Sequence, residues 1–151
     1  VANTATVRSG GLTIDLADFH SLARGFRRVE PELFAGLKLR LRGIGQLVAD
    51  SAKEHASFSE TIPPSIKVRM STLSVSVVAT KAPLSGLEEM GKKGNRGSGV
   101  AWRHPVFGNK DVWVTQIGHP FLLPALKDKA EVIEALVDEA VGEAFDVALE
   151  V

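Results

Sequence analysis

At 151 residues, with 44% apolar residues and no cysteine, the chain is sized for one globular domain able to bury about two thirds of its unfolded surface. The absence of cysteine excludes a disulfide framework, a thiolate nucleophile and a cysteine zinc site. Equal numbers of basic and acidic side chains, 18 of each, remove the strongly basic balance expected of a nucleic-acid binder. That balance hides an asymmetry: residues 1–110 hold 16 basic and 9 acidic side chains, a net of +7, whereas 128–151 hold 8 acidic side chains against Lys129 alone, a net of −7. One reading is a solvated acidic helix face. The other is complementary docking, in which unlike surfaces bring copies together side by side in a ring.

In chain order, Val1 to Gly11 is small and polar and reads as a flexible arm or a short edge strand. It lacks the charged-then-apolar layout of a signal peptide, and no apolar run reaches 18 residues, so a soluble protein without membrane contact is expected. Leu16, Phe19, Leu22, Ala23 and Phe26 follow at helical spacing with Asp15 as an N-cap. Pro31 opens a longer helix, expected to run to about His55, in which Leu33, Leu37, Leu41, Ile44, Val48 and Ala52 form an apolar stripe. Gly36, Gly43 and Gly45 lie inside it, each costing about 1 kcal/mol of helix preference relative to alanine. They mark a close contact with the last helix or a neighbouring subunit, or else a kink.

After Pro63-Pro64 the period changes to two. Ile66, Val68 and Met70 form one half-buried strand and Leu73, Val75 and Val77 another, with a tight hairpin or a bulge at Ser71-Thr72. Pro83 ends the second strand, and Leu84 to Met90 is one candidate helical turn. Gly91 to Gly99 reads as a flexible basic loop, in which Lys92, Lys93, Asn95 and Arg96 are candidates for contact with a partner protein or with DNA. Arg103 to Lys129 then reads as turn, strand, turn and helix start: Gly108-Asn109 supplies the turn dipeptide, Val112, Trp113, Val114 and Ile117 the strand, and Gly118-His119-Pro120 its end. Pro124 suits the first turn of a helix running to about Leu149. Trp102, Phe107, Trp113 and Phe121 form an aromatic concentration that either plugs the junction of sheet and last helix or anchors an interface.

The segment from Trp102 to Asn109, WRHPVFGN, followed by Asp111-Val112-Trp113-Val114 and by Pro120-Phe121-Leu122-Leu123-Pro124-Ala125-Leu126, resembles the C-terminal signature of the tail-completion (head-to-tail joining, or neck) proteins of long-tailed bacteriophages. Glu89-Met90-Gly91 is similar to the acidic-x-glycine group that precedes the loop in that family, while Leu123 stands where many members have arginine. The resemblance implies a virion structural protein, assembled in the host cytoplasm, that forms a ring in the neck, six-fold in the family. Its implied partners are other copies of itself, the head-completion or adaptor proteins below the portal, and the tail tube or tail terminator. DNA would pass through the lumen without sequence specificity. Trp102, Phe107, Trp113, Phe121, Leu122 and Pro124 are then the candidate partner or subunit interface. A different neck ring, a head-completion or tail-terminator protein, is the alternative within the virion.

No catalytic chemistry is legible. His20, His55, His104 and His119 show no metal spacing, the glycine loop lacks the order of a P-loop, and Ser98 lacks a nucleophile elbow. Glu88 and Glu89 are sequence neighbours expected to diverge on a helix, a poor acid/base pair. No enzyme, cofactor or metal is expected. The rival from another class is a small nucleic-acid-binding module using Lys92, Lys93, Arg96 and the Lys38-Arg40-Arg42 cluster. The expected fold is a single α+β domain over 1–151: a helical N-terminal half, a small antiparallel sheet of three to four strands, and a long C-terminal helix packed on it.

Overall fold

The computed structural model describes residues 4–8, 11–15, 31–71, 74–80, 85, 88–89, 101–106 and 108–149. Their order is β1 (Thr4–Arg8), β2 (Gly11–Asp15), α1 (Pro31–His55), a short 3₁₀ turn (Pro63–Ser65), β3 (Ile66–Met70), β4 (Ser74–Ala79), β5 (Ala101–Val106), β6 (Asn109–Ile117) and α2 (Leu122–Leu149). This is the expected α+β class, with both long helices at the expected places. The expected helix at residues 16–26 lies outside the described residues, as do Lys92, Lys93, Asn95 and Arg96 of the basic loop.

Four strands form one antiparallel sheet in the order β1-β2-β4-β3. Thr4 to Arg8 therefore takes the edge-strand alternative offered for the N-terminal arm, and Asp15 ends β2 opposite Ser74. The N-terminal half is accordingly part strand and part helix. β3 and β4 pair antiparallel from Ile66 opposite Ala79 to Met70 opposite Val75, the hairpin alternative; Thr72 and Leu73 between them lie outside the described residues. The Ser71 N–H donates to the Ser74 carbonyl at 2.9 Å, closing that hairpin. Strict alternation in β4 buries Val75, Val77 and Ala79, as the period of two predicts.

α1 lies over this sheet and buries Leu37, Leu41, Ile44, Val48 and Ala52 along the predicted stripe. Gly45 is the point of closest approach: a Cβ there would sit 2.3 Å from Cγ2 of Val75 and 2.9 Å from Cγ1 of Val68. Of the three glycines in α1, this one is explained within the chain, and by the sheet rather than by the last helix. Gly36 and Gly43 face open space. Glu32 in the first turn and Lys53 and His55 in the last complement the helix dipole. Nearby, the hydrogen bond from Lys53 holds the Asp50 carboxyl below its ordinary value of 3.8.

α2 runs antiparallel along α1 and also touches β2. Its inward residues Leu122, Ala125, Ile133, Val137 and Ala140, with Phe121 just before it, complete the core with Val48, Ala52 and Ile62. At about 25 cal/mol per Å² of apolar surface removed from water, Phe121 and Leu122, both fully buried, each contribute about 2–3 kcal/mol. Polar pairs fix the register at the two ends. His55 Nε2 lies 2.6 Å from Asp128 Oδ2, and Arg40 pairs with Glu139 at 3.5 Å and with Glu143. Part of the acidity of the last helix is thus met inside the chain.

β5 and β6 form a separate two-stranded hairpin, with Ala101 opposite Ile117 and Pro105 opposite Trp113. Gly108 turns it at φ +79°, a conformation open to glycine at little cost. Pro105 cannot donate to a ladder, and in a two-stranded sheet every position is an edge, so it is tolerated. A register shift follows it, between Pro105 and Val106. β5 is the element that periodicity did not announce, because Arg103-His104-Pro105 interrupts any run of strand formers.

Candidate functional site: an exposed hairpin on a carboxylate clasp

The short link from β6 to α2, Gly118-His119-Pro120-Phe121, contains no serine, threonine, aspartate or asparagine to cap the helix. Four N–H groups at a helix start have no intrahelical partner and must be satisfied elsewhere. Glu89 satisfies them. Its Oε2 accepts the N–H of Phe121 at 2.7 Å and of Leu122 at 2.8 Å, and its Oε1 accepts that of Leu123 at 2.9 Å. The fourth group is absent, because residue 124 is proline. The N–H of Ala125 then begins the helical ladder on the Phe121 carbonyl. Glu89 is 1% exposed, so the bonds form away from competing water, and the helix dipole favours a negative group there.

Glu88 holds the other end of the same link. Its Oε2 accepts the backbone N–H of His119 at 3.0 Å and faces the His119 ring Nδ1 at 3.2 Å, while its Oε1 accepts the Gln116 side-chain amide. With that amide nitrogen turned to Glu88, the Gln116 Oε1 faces His104 Nε2 at 3.1 Å. The two carboxylates, expected to diverge, instead converge on residues 116–123. Both oxygens of each are committed to donors of the chain, which makes the pair an anchor and leaves no free base. The missing polar cap before Phe121 was the signal in the sequence that an acidic group from elsewhere must serve this helix.

Above the clasp, the hairpin is bare. Val112, Trp113 and Ile117 are 48%, 48% and 60% exposed, and Val114 is 40% exposed. Period two places Val112, Val114 and Gln116 on the face turned toward the clasp, and Trp113 and Ile117 with Arg103 on the face turned away. Arg103 lies 6.0 Å from the Trp113 ring centroid, and the Trp113 Nε1–H donates to the Lys110 carbonyl at 2.7 Å. Both faces therefore carry uncovered apolar side chains. A two-stranded hairpin is marginally stable alone in water, and clustered exposed apolar side chains of this kind mark interaction sites.

The predicted interface residues separate into two groups. Trp113 is exposed on the hairpin, and Pro124 is half-buried in the first turn of α2. Phe121 and Leu122 are fully buried within the chain and present no surface to a partner; both belong to its core, at the helix start that Glu89 caps. Trp102 pairs across the hairpin with Gln116, its side chain lying outside the described ones, and Phe107 is outside the described residues. Among the described residues no group of three or more histidines and carboxylates could hold a metal ion, and no helix is long and apolar enough to cross a membrane. His119, one of the four histidines, also stacks on Phe58 with ring centroids 4.8 Å apart.

No protein-family model matches the chain, and neither a curated protein nor a solved structure matches it.

Proposed function

We propose that this chain is a structural subunit of the neck of a long-tailed bacteriophage, where copies form a ring between the DNA-filled head and the tail tube. The reading rests on the resemblance of residues 102–126 to tail-completion proteins, and one observation carries it physically: the β5–β6 hairpin exposes Val112, Trp113, Val114 and Ile117 on both faces although the chain has a complete core of its own. A subunit built to be covered by neighbours explains that exposure, and surface complementarity then replaces catalysis as the mechanism. The resembling residues also form one connected unit, hairpin, link and helix start, held by Glu88 and Glu89.

The test is head-to-tail joining in a phage carrying Trp113→Ala with Ile117→Ala, two exposed positions whose loss leaves the core intact. Filled heads and finished tails that stay apart are expected. Joined particles at normal yield would overturn the proposal.

A further inference from the structure

We propose that the free edge of β3 receives, as an added strand, the β6 edge of the hairpin of a second copy of this chain. This rests on the reading of the chain as a ring subunit and identifies the surfaces by which its copies meet.

β3 is an outer strand of the four-stranded sheet, paired with β4 alone among the described residues. The Thr80 N–H donates to the Ser65 carbonyl at 3.1 Å and the Ser71 N–H to the Ser74 carbonyl at 2.9 Å. Antiparallel pairs alternate between bonded and non-bonded, so Lys67 and Arg69, in phase with these two, also turn their backbone groups to β4. Ile66, Val68 and Met70 turn theirs outward. The Ile66 N–H is taken by the Pro63 carbonyl, whereas the N–H and C=O groups of Val68 and Met70 have no partner among the described residues. Such a row is a template for one more strand.

The surroundings of this edge say what the strand must look like. Arg40 and His55 turn to α2 and Gly45 to the sheet; at about 100° per residue, Ala35, Leu39 and Gln46 fall on the opposite flank of α1. Because α1 packs on β3 and β4 while α2 reaches β2, that flank overhangs the free edge of β3. Leu39 is 71% exposed there, and Val68 and Met70, on the helix-covered face of β3, are only partly buried. The other face of β3 carries Lys67 and Arg69, exposed and without an ion-pair partner among the described residues. The missing strand is therefore apolar on one face and acidic on the other. β6 has this pattern: Val112 and Val114 are exposed on one face, and Asp111, without an ion-pair partner among the described residues, shares the other with Trp113, whose ring offers apolar surface to the stems of Lys67 and Arg69. Glu88 holds β6 at Gln116, which leaves Lys110 to Thr115 to span the five residues of β3. β5 does not serve, because Pro105 lacks an N–H and the ladder shifts after it. A second β3 would bring Lys67 and Arg69 against their own kind. The two edges differ, so the contact is heterologous: every copy gives one β6 and receives one, the kind of contact that closes into rings.

The experiment combines hydrogen exchange on the purified full chain with cross-linking between single thiols, which the cysteine-free sequence permits. Light scattering is expected to show the parent assembling with concentration. The N–H groups of Val68 and Met70 should then exchange about tenfold more slowly or better than in the dilute monomer, because each gains a hydrogen bond. Arg69→Cys on β3 and Thr115→Cys on β6, both at exposed positions and checked for folding by circular dichroism, are treated with a short bis-maleimide. An equimolar mixture should give a cross-linked dimer, and neither variant alone should. A parent that stays monomeric, or unchanged exchange at both N–H groups in the assembled state, would overturn the contact. Dimers from Arg69→Cys alone in place of the mixed one would overturn it in favour of β3 pairing with itself, and dimers from Thr115→Cys alone in favour of hairpin pairing with hairpin. None of these outcomes depends on phage joining, so the contact and the neck role fail separately.

Discussion

A Cβ on Gly45 would lie 2.3 Å from Cγ2 of Val75, closer than two carbon atoms can approach without movement. Val75 is β-branched, 1% exposed and central in β4, so it has little freedom to turn aside. Gly45→Ala is therefore expected to destabilise the fold by about 1–2 kcal/mol, an overpacking cost of about 1–3 kcal/mol partly offset by helix preference of about 1 kcal/mol. Gly36 has open space at its Cβ, so Gly36→Ala is expected to stabilise by up to about 1 kcal/mol. Urea unfolding of the two variants side by side checks this; equal midpoints would remove Gly45 as the site of close packing.

Glu89 anchors three N–H groups 32 to 34 residues along the chain. Glu89→Ala strands buried donors at the start of α2, and hydrogen bonds to charged groups are worth about 1.5–3 kcal/mol, so a loss of about 3 kcal/mol or more is expected. Glu89→Gln keeps the volume but replaces one acceptor by an amide donor facing the same N–H groups, and should recover little. Hydrogen exchange at Phe121, Leu122 and Leu123 reads this directly. Protection unchanged from the parent in Glu89→Ala would show that the helix start is held by something else.

Arg40 bridges α1 to Glu139 and Glu143 on α2, yet its side chain is 39% exposed and its partners are at least half exposed. Solvent screening keeps such pairs near 0–1 kcal/mol. Arg40→Ala is expected to shift the thermal midpoint by a few degrees at most, and less in 0.5 M salt. A large, salt-independent loss would mean that the aliphatic stem of Arg40 packs against the helices more than its charge pairs across them.

Much of the main domain was legible because its residues obey one period at a time. The stripe from Leu37 to Ala52 predicts α1, and the alternation from Ile66 to Val77 predicts β3 and β4, where a buried face leaves no other register. β1 and β2 carry a weaker signal: the place of β2 was set by pairing with β4, a contact between residues about 60 positions apart, and that of β1 by pairing with β2. The site was half legible. Composition flagged the aromatic residues around Trp113, but nothing local distinguishes Phe121, drawn into the core, from Trp113, left outside. Phe121 sits at the helix start whose N–H groups Glu89 accepts, whereas Trp113 sits on the hairpin. A carboxylate so distant in sequence enters no local propensity, and only the missing cap before Phe121 hinted that one was required.

The same distinction yields a prediction that separates packing from assembly. Phe121 is 0% exposed in the core, and removing a buried phenylalanine side chain costs about 3–5 kcal/mol because the cavity does not close fully. Phe121→Ala is expected to lower the urea midpoint strongly, and whatever it does to assembly follows from lost folding. Trp113 is half exposed and its indole donates only to the Lys110 carbonyl, so Trp113→Ala should cost under about 1 kcal/mol, within the range of surface changes that lose one hydrogen bond. Its effect should instead fall on association, with the concentration for half-assembly rising at least tenfold at unchanged stability. If Trp113→Ala were to unfold the chain as readily as Phe121→Ala, the hairpin would be part of the core fold, and its exposure could no longer be taken as a surface waiting for a partner.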